Sequence, residues 1–137
     1  MKIIKCKLSD CSKLVALNQQ FIEDGQSDAT MSIEQLEKRM ENFINSNEYE
    51  VIYFLEREEI IGYATIKIVS NPHYLSQFFI CREHRNKGLG RLAFEKLLEY
   101  FGVDSIDLEV LQQNKEGVLF WENIGFKLRC LYMRYEP

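Results

Sequence analysis

The sequence predicts a single α/β domain on a mixed central sheet, antiparallel at its start and parallel where a crossover returns. Three observations carry this. Strand-like runs at 49–56, 60–69 and 75–81 follow one another too closely for intervening helices. A helical pattern then separates strand-like runs 75–81 and 105–111, as in a β-α-β unit. No Pro-, Gly- or Ser-rich stretch divides the 137 residues, so positions 1–137 read as one domain.

In chain order, residues 2–7 alternate apolar and polar as a half-buried strand does. Ser9-Asp10 offers caps for a helix with Leu14, Leu17 and Phe21 at helical spacing. After a polar link at 25–30, Ser32 and Gln35 form a capping box leading a second helix with Ile33, Leu36, Met40 and Phe43 inward. The runs 49–56 and 60–69 flank a polar turn around Arg57 to Glu59, a hairpin signal, and Asn71-Pro72 ends the second. Leu89, Leu92, Ala93, Leu97 and Phe101 mark one face of a helix at 88–101. A short helix at about 115–123 and a closing strand at 126–135 complete the order, giving about four helices.

Composition narrows the function. A net charge of −4 opposes a nucleic-acid role, since phosphate-backbone binders carry a basic face and a high pI. No apolar run approaches the roughly 18 to 20 residues that span a bilayer, and Met1 to Lys5 lacks a signal peptide's hydrophobic region. No membrane partner and a cytoplasmic location are therefore expected. Cys6, Cys11, Cys81 and Cys130 match neither a C-x-x-C pair nor zinc knuckles, and the only histidines are His73 and His84. Reduced thiols and no metal site are expected.

The segment Arg85-Asn86-Lys87-Gly88-Leu89-Gly90-Arg91 lies between a strand and a helix, where backbone N–H groups and the helix's positive end converge on an anion. Glycines at 88 and 90 would let a phosphate approach the main chain, and Arg85, Lys87 and Arg91 add positive charge. An ordinary solvated strand-to-helix turn would look the same. A Walker loop is excluded because no Lys-Ser or Lys-Thr follows the glycines. A dinucleotide turn, with Gly88-x-Gly90-x-x-Ala93 and Glu109 as the ribose acid, is opposed by the charged stretch 82–87 between strand and glycine.

Arg85-x-x-Gly88-x-Gly90 resembles the R-x-x-G-x-G/A coenzyme A signature of the GNAT superfamily. A second block, Asn114-x-x-Gly117-x-x-Phe120-Trp121-Glu122-x-x-Gly125-Phe126, is similar to that family's later pattern. The motifs cover the C-terminal half, and the element order extends the resemblance over nearly the whole chain. It implies a GNAT-like fold with a splayed parallel pair, and acetyl-coenzyme A as acyl donor. By the same resemblance, amides around Asn86, Lys87, Gly88 and Gly90 would bind the pyrophosphate, with Arg85, Arg91 and Asn114 near the cofactor. The main chain at Phe79 and Ile80 would pair with pantetheine, and an N–H at the splay would stabilise the oxyanion.

Direct attack requires a neutral amine, hence a proton acceptor. Glu109, in Leu108-Glu109-Val110, resembles the base of some family members; a salt-bridged or solvated strand acid is the competing reading. Trp121 stands where many members carry a tyrosine that protonates the leaving thiolate. Indole cannot cycle a proton, so Trp121 is expected to pack, and Tyr132 and Tyr135 are unsupported substitutes. Cys81 beside Arg82 raises a covalent acetyl-enzyme, opposed by the lack of a paired base. His84 is expected to be solvated.

The resemblance places acceptor recognition around the first two helices and their link, where Glu23, Asp24 and Asp28 could draw a cationic amine; a solvated loop is the competing reading. The activity implied is acetyl transfer to a primary amine, of a small molecule or protein, in a ternary complex. The alternative is a non-catalytic acyl-coenzyme A sensor, since the usual tyrosine is missing. A free edge on the last strand would favour a homodimer, and a covered edge would not.

Overall fold

The computed structural model describes residues 1–25 and 30–137. Strand β1 (Lys2–Lys5) leads through a short 3-10 turn (Leu8–Asp10) into α1 (Cys11–Asp24). Helix α2 (Ile33–Asn45) precedes the strands β2 (Tyr49–Glu56), β3 (Glu59–Lys67) and β4 (His73–Ile80). Helix α3 (Leu89–Phe101), β5 (Ile106–Leu108) and α4 (Lys115–Ile124) follow. One sheet runs β1-β2-β3-β4-β5, antiparallel throughout except for the parallel pair β4–β5.

Local chemistry accounts for most element ends. Ser32 Oγ accepts the Gln35 N–H at 3.1 Å while Gln35 Oε1 accepts the Ser32 N–H at 2.9 Å, the expected capping box of α2. Asp10 makes no side-chain cap to α1; its Oδ2 accepts the Lys7 N–H at 2.8 Å and closes the 3-10 turn instead. The β2–β3 hairpin turns on Arg57 and Glu58, both in the left-handed region.

The sheet is buried on both faces. Leu14, Leu17, Leu36 and Met40 of α1 and α2 pack on Val51, Tyr53, Tyr63 and Phe79. Ala93, Phe94 and Leu97 of α3 pack on Ile52, Phe54, Ile66 and Leu75 across the sheet. Runs such as Val51–Phe54 and Ile61–Ile66 are therefore continuously buried, as a sheet covered on both sides requires. On the α1 face a polar chain crosses the core: Asn18 Nδ2 donates to Tyr63 Oη at 3.0 Å, and Tyr63 Oη donates to Gln77 Oε1 at 2.9 Å.

Two expectations are corrected. β5 covers only Ile106–Leu108, because its pairing with β4 stops at Leu75↔Leu108. The closing strand at 126–135 does not form: after Phe126 the chain lies exposed, with Leu128 at 80% and Tyr132 at 82% exposure. The run is β-rich in composition, but a strand needs a neighbour to satisfy its backbone groups.

Candidate active site

The turn after β4 has the geometry of an anion cradle. Gly88 sits at φ 76° and ψ 4° as the residue preceding α3, and Asn86 is also left-handed, at φ 62°. Successive positive and negative φ values turn neighbouring amides to one side, and the first N–H groups of α3 have no carbonyl before them in the helix. Asn86, Lys87 and Gly88 are exposed, and nothing lies within 4 Å of a Cβ built at Gly88. A hollow of about 510 Å³ opens beside the turn, lined by Arg57, Glu59, His84, Lys87 and Leu89 among others.

Gly90 has another reason to be glycine. A Cβ there would stand 3.0 Å from two Phe120 ring carbons, so its absence lets α4 close on α3. The cations also divide. Arg85 Nη2 donates to Asp24 Oδ2 at 2.7 Å and its Nε to the Ile80 carbonyl at 2.8 Å, with the guanidinium over the Phe79 ring. Arg91 donates to the Asn123 carbonyl at 2.8 Å, near the C-terminal end of α4. Lys87 has no ion-pair partner among the described residues.

Beyond Leu75 the two parallel strands part: β4 continues to Ile80 while β5 has ended at Leu108. The Phe79 carbonyl turns toward β3, where a Cβ on Gly62 would collide with its oxygen. The Cys81 N–H donates to Ile61 across the same pair at 2.7 Å, so the other end of that peptide, the Ile80 carbonyl, faces the open side. Arg85 already occupies it. Of the two residues expected to pair with pantetheine, Phe79 thus offers its carbonyl to the sheet, and the open edge carries the Ile80 N–H.

Glu109 follows β5 immediately, exposed, at the point of divergence. Across the pair stands Tyr74, opposite Asp107 in register. Burial, and then the adjacent Glu109 carboxylate, push the Tyr74 phenol up to about 12, so it is neutral at physiological pH. Sequence reading missed Tyr74 because only the parallel register brings it beside Glu109; nothing within 35 residues of either marks the pairing.

A family model for the Acetyltransferase (GNAT) domain matches residues 3–131. The chain belongs to the GNAT family. Among relatives, it is similar to a spermidine N(1)-acetyltransferase of Thermoplasma acidophilum, 31% identical over 72 residues. That match covers 50% of this chain and 45% of the enzyme, so the chain spans about half the length of this curated relative. A tetramutant of the BH1408 protein from Bacillus halodurans shares the fold with a TM-score of 0.82, 24% identity and full coverage of both chains. The PaiA N-acetyltransferase of Thermoplasma acidophilum, solved with coenzyme A, matches with a TM-score of 0.72 and 22% identity, over 93% of this chain and 90% of that one.

The remaining GNAT positions sort by contact. Asn114 precedes α4, and its Oδ1 accepts the Gly117 N–H at 3.0 Å; a Cβ on Gly117 would strike that side chain. Asn114 therefore caps the helix. Trp121 packs among Phe78, Phe94, Phe120 and Phe126, with ring centroids 4.7 to 5.5 Å apart. It joins α4 to α3 and β4, as expected of a packing residue. The dinucleotide alternative falls as well, since Gly90 serves the Phe120 contact and Ala93 lies in the core.

Burial, and then Glu83, raise the Cys81 thiol, which opposes the covalent acetyl-enzyme. His84 is not a bare solvated residue: its Nε2 lies 3.1 Å from Glu59 Oε1 on the hairpin. Glu23 and Asp24 are engaged too, by Arg82 Nη2 at 2.9 and 2.8 Å. Asp28, with Gln26 and Ser27, lies outside the described residues. Tyr132 and Tyr135 are exposed on the C-terminal segment.

Proposed function

We propose that this GNAT chain transfers an acetyl group from acetyl-coenzyme A to a primary amine by direct attack in a ternary complex, and that the acceptor is a small polycation of the polyamine class. One observation carries the reading: a single open strand edge, 76–80 of β4, joins the anion cradle before α3 to Glu109 at the β4–β5 divergence. Along a strand this stretch runs about 17 Å at roughly 3.3 Å per residue, separating an anchored phosphate from chemistry at the apex. Asp107 and Glu109 give the apex negative charge, and the spermidine acetyltransferase relative points to the same class of acceptor.

Acetyl-coenzyme A supplies the activated acyl carbon and leaves as the free thiol. The α3 amides and Lys87 hold the phosphates, and the Ile80 N–H donates to the carrier arm as it would to a neighbouring strand. Arg85, Arg91 and Asn114 act from behind, fixing the turn and α4. Glu109 takes the proton that the acceptor must shed; the new N–C bond forms as the C–S bond breaks, and solvent protonates the sulfur. Tyr74, neutral and beside Glu109, holds that carboxylate at the apex. Unpaired thiols at Cys6, Cys11, Cys81 and Cys130 support a cytoplasmic setting, and the reading includes a homodimer.

The test joins thermal-shift titration with acetyl-coenzyme A to thiol release in the presence of spermidine and a panel of other amines. Stabilisation with spermidine-dependent release is expected. Glu109→Gln should lower kcat by roughly 10² to 10⁴-fold while keeping the acetyl-coenzyme A shift. Binding without release from any amine would replace this reading with the sensor, and release from a different amine would replace only the acceptor class.

A further inference from the structure

The β2–β3 hairpin parts its two tip residues between opposite faces of the sheet. Arg57 and Glu58 both take left-handed backbone, at φ 52° and 68°, in the turn between the paired Glu56 and Glu59. Glu58 lines a hollow on the α1 side, with Lys13, Leu17 and Gln20. Arg57 lines the other hollow, of about 510 Å³, on the α3 side with Lys87 and Leu89, the residues flanking Gly88. That hollow has the size of a small-molecule site, and it opens directly beside the anion cradle.

The charges around this hollow do not cancel. Its acids are Glu56 and Glu59, and each has a partner of its own: the Met1 ammonium lies 3.6 Å from Glu56 Oε1, and His84 Nε2 lies 3.1 Å from Glu59 Oε1. Arg57 and Lys87 make no ion pair among the described residues. The other arginines near the turn are engaged, Arg82 and Arg85 by Asp24 and Arg91 by the Asn123 carbonyl. Two unmatched cations and the half-buried Leu89 side chain are therefore what a molecule extending past the cradle meets.

A pyrophosphate in the cradle leaves its nucleoside on the side away from the carrier arm. The arm runs along the open edge of β4, on the β5 side, and the hairpin stands on the β3 side. Besides the pyrophosphate, coenzyme A bears a phosphomonoester on the 3′ oxygen of its ribose, an anion that a planar guanidinium can bind bidentately. We propose that Arg57 binds this 3′-phosphate, with Lys87 at the pyrophosphate and Leu89 against the nucleoside, so that the hairpin selects coenzyme A over carriers lacking that phosphate. The inference rests on the acetyl-coenzyme A reading above and adds to it a residue outside both GNAT motifs.

The experiment is calorimetric titration of the full chain with coenzyme A and with 3′-dephospho-coenzyme A, no acceptor being present. The wild type should bind coenzyme A roughly tenfold more tightly, as charge-assisted hydrogen bonds to one phosphate allow. Arg57→Gln should bring the two affinities together by weakening coenzyme A alone, and its unchanged affinity for 3′-dephospho-coenzyme A reports an intact fold and cradle. Arg57→Lys should recover part of the preference. Lys87→Gln should weaken both ligands and leave their ratio. A wild type that binds the two equally overturns the proposal, as does a preference that Arg57→Gln leaves in place. Equal binding keeps the acetyl-coenzyme A reading, whereas binding of neither ligand overturns both.

Discussion

Arg85 Nη2 lies 2.7 Å from Asp24 Oδ2, so the residue that opens the phosphate motif is held by the last residue of α1, 61 positions earlier. Arg82 binds the same carboxylate at 2.8 Å. Partial burial alone would raise the Asp24 carboxyl, but hydrogen bonds from Arg82 and Arg85 outweigh it and hold the group below its ordinary value. The pair ties the turn before α3 to the end of α1. Asp24→Asn keeps the shape and removes the charge. With both arginines partly exposed, the loss should be about 1 kcal/mol, toward the upper end for surface pairs. The acetyl-coenzyme A KM should rise several-fold with kcat little changed, measured by steady-state thiol release.

The two glycines of the motif should respond to alanine for different reasons. Gly88→Ala meets no neighbour but must hold a left-handed φ, a cost of roughly 1 to 2 kcal/mol. Gly90→Ala has helical φ and strikes the Phe120 ring. Pairing Gly90→Ala with Phe120→Leu should recover part of that loss, whereas Phe120→Leu should do nothing for Gly88→Ala. Thermal melts of the five variants and the wild type decide it.

What the sequence made legible follows from range. The capping box at Ser32 and Gln35, the hairpin at Arg57 to Glu59 and the helix after Gly88 are written in neighbouring residues, and the structure has them within two or three positions. The Arg85–Asp24, His84–Glu59 and Tyr74–Glu109 relationships join residues 25 to 61 positions apart, where no local pattern reports them. The 126–135 run shows the converse: local composition specified a strand, and only the whole sheet decides whether the chain itself supplies the neighbour.

Tyr63 is fully buried, with its hydroxyl between Asn18 and Gln77. Tyr63→Phe keeps the ring and removes the oxygen, leaving the Asn18 amide without this acceptor and the Gln77 carbonyl without its closest donor. Stranding buried polar groups costs about 1 to 3 kcal/mol. Chemical denaturation should show this loss as a lower midpoint at unchanged slope. A change below a few tenths of a kcal/mol would mean that water or Thr65, 3.4 Å from Gln77 Oε1, compensates.

Trp121→Tyr installs the side chain that many GNAT members carry at this place. Here the ring position is set by Phe78, Phe94, Phe120 and Phe126, which surround it with no polar group among them. A phenol in that cluster gains no route to the sulfur, so kcat should not increase. The smaller ring should lower stability by about 1 to 2 kcal/mol through lost packing. A kcat gain of tenfold or more, read by thiol release at saturating acetyl-coenzyme A, would place the position at the chemistry and overturn the packing role.

Stability should fall on the alkaline side as the raised tyrosines ionise. Burial and Glu109 raise Tyr74 to about 12, and burial and Glu50 raise Tyr100 to about 12, from an ordinary value of 10.0. A phenol whose pKa is higher folded than unfolded binds its proton more tightly in the folded state. Its contribution is therefore whole below about pH 10 and is lost as pH rises from 10 toward 12. Melting temperature should be nearly level from pH 7 to 9 as far as these groups decide it, and drop steeply above 10. Glu109→Gln removes the carboxylate facing Tyr74, so tyrosinate absorbance should appear at lower pH in that variant. An unshifted titration in Glu109→Gln would mean that burial alone holds the Tyr74 proton and that the carboxylate does not face it.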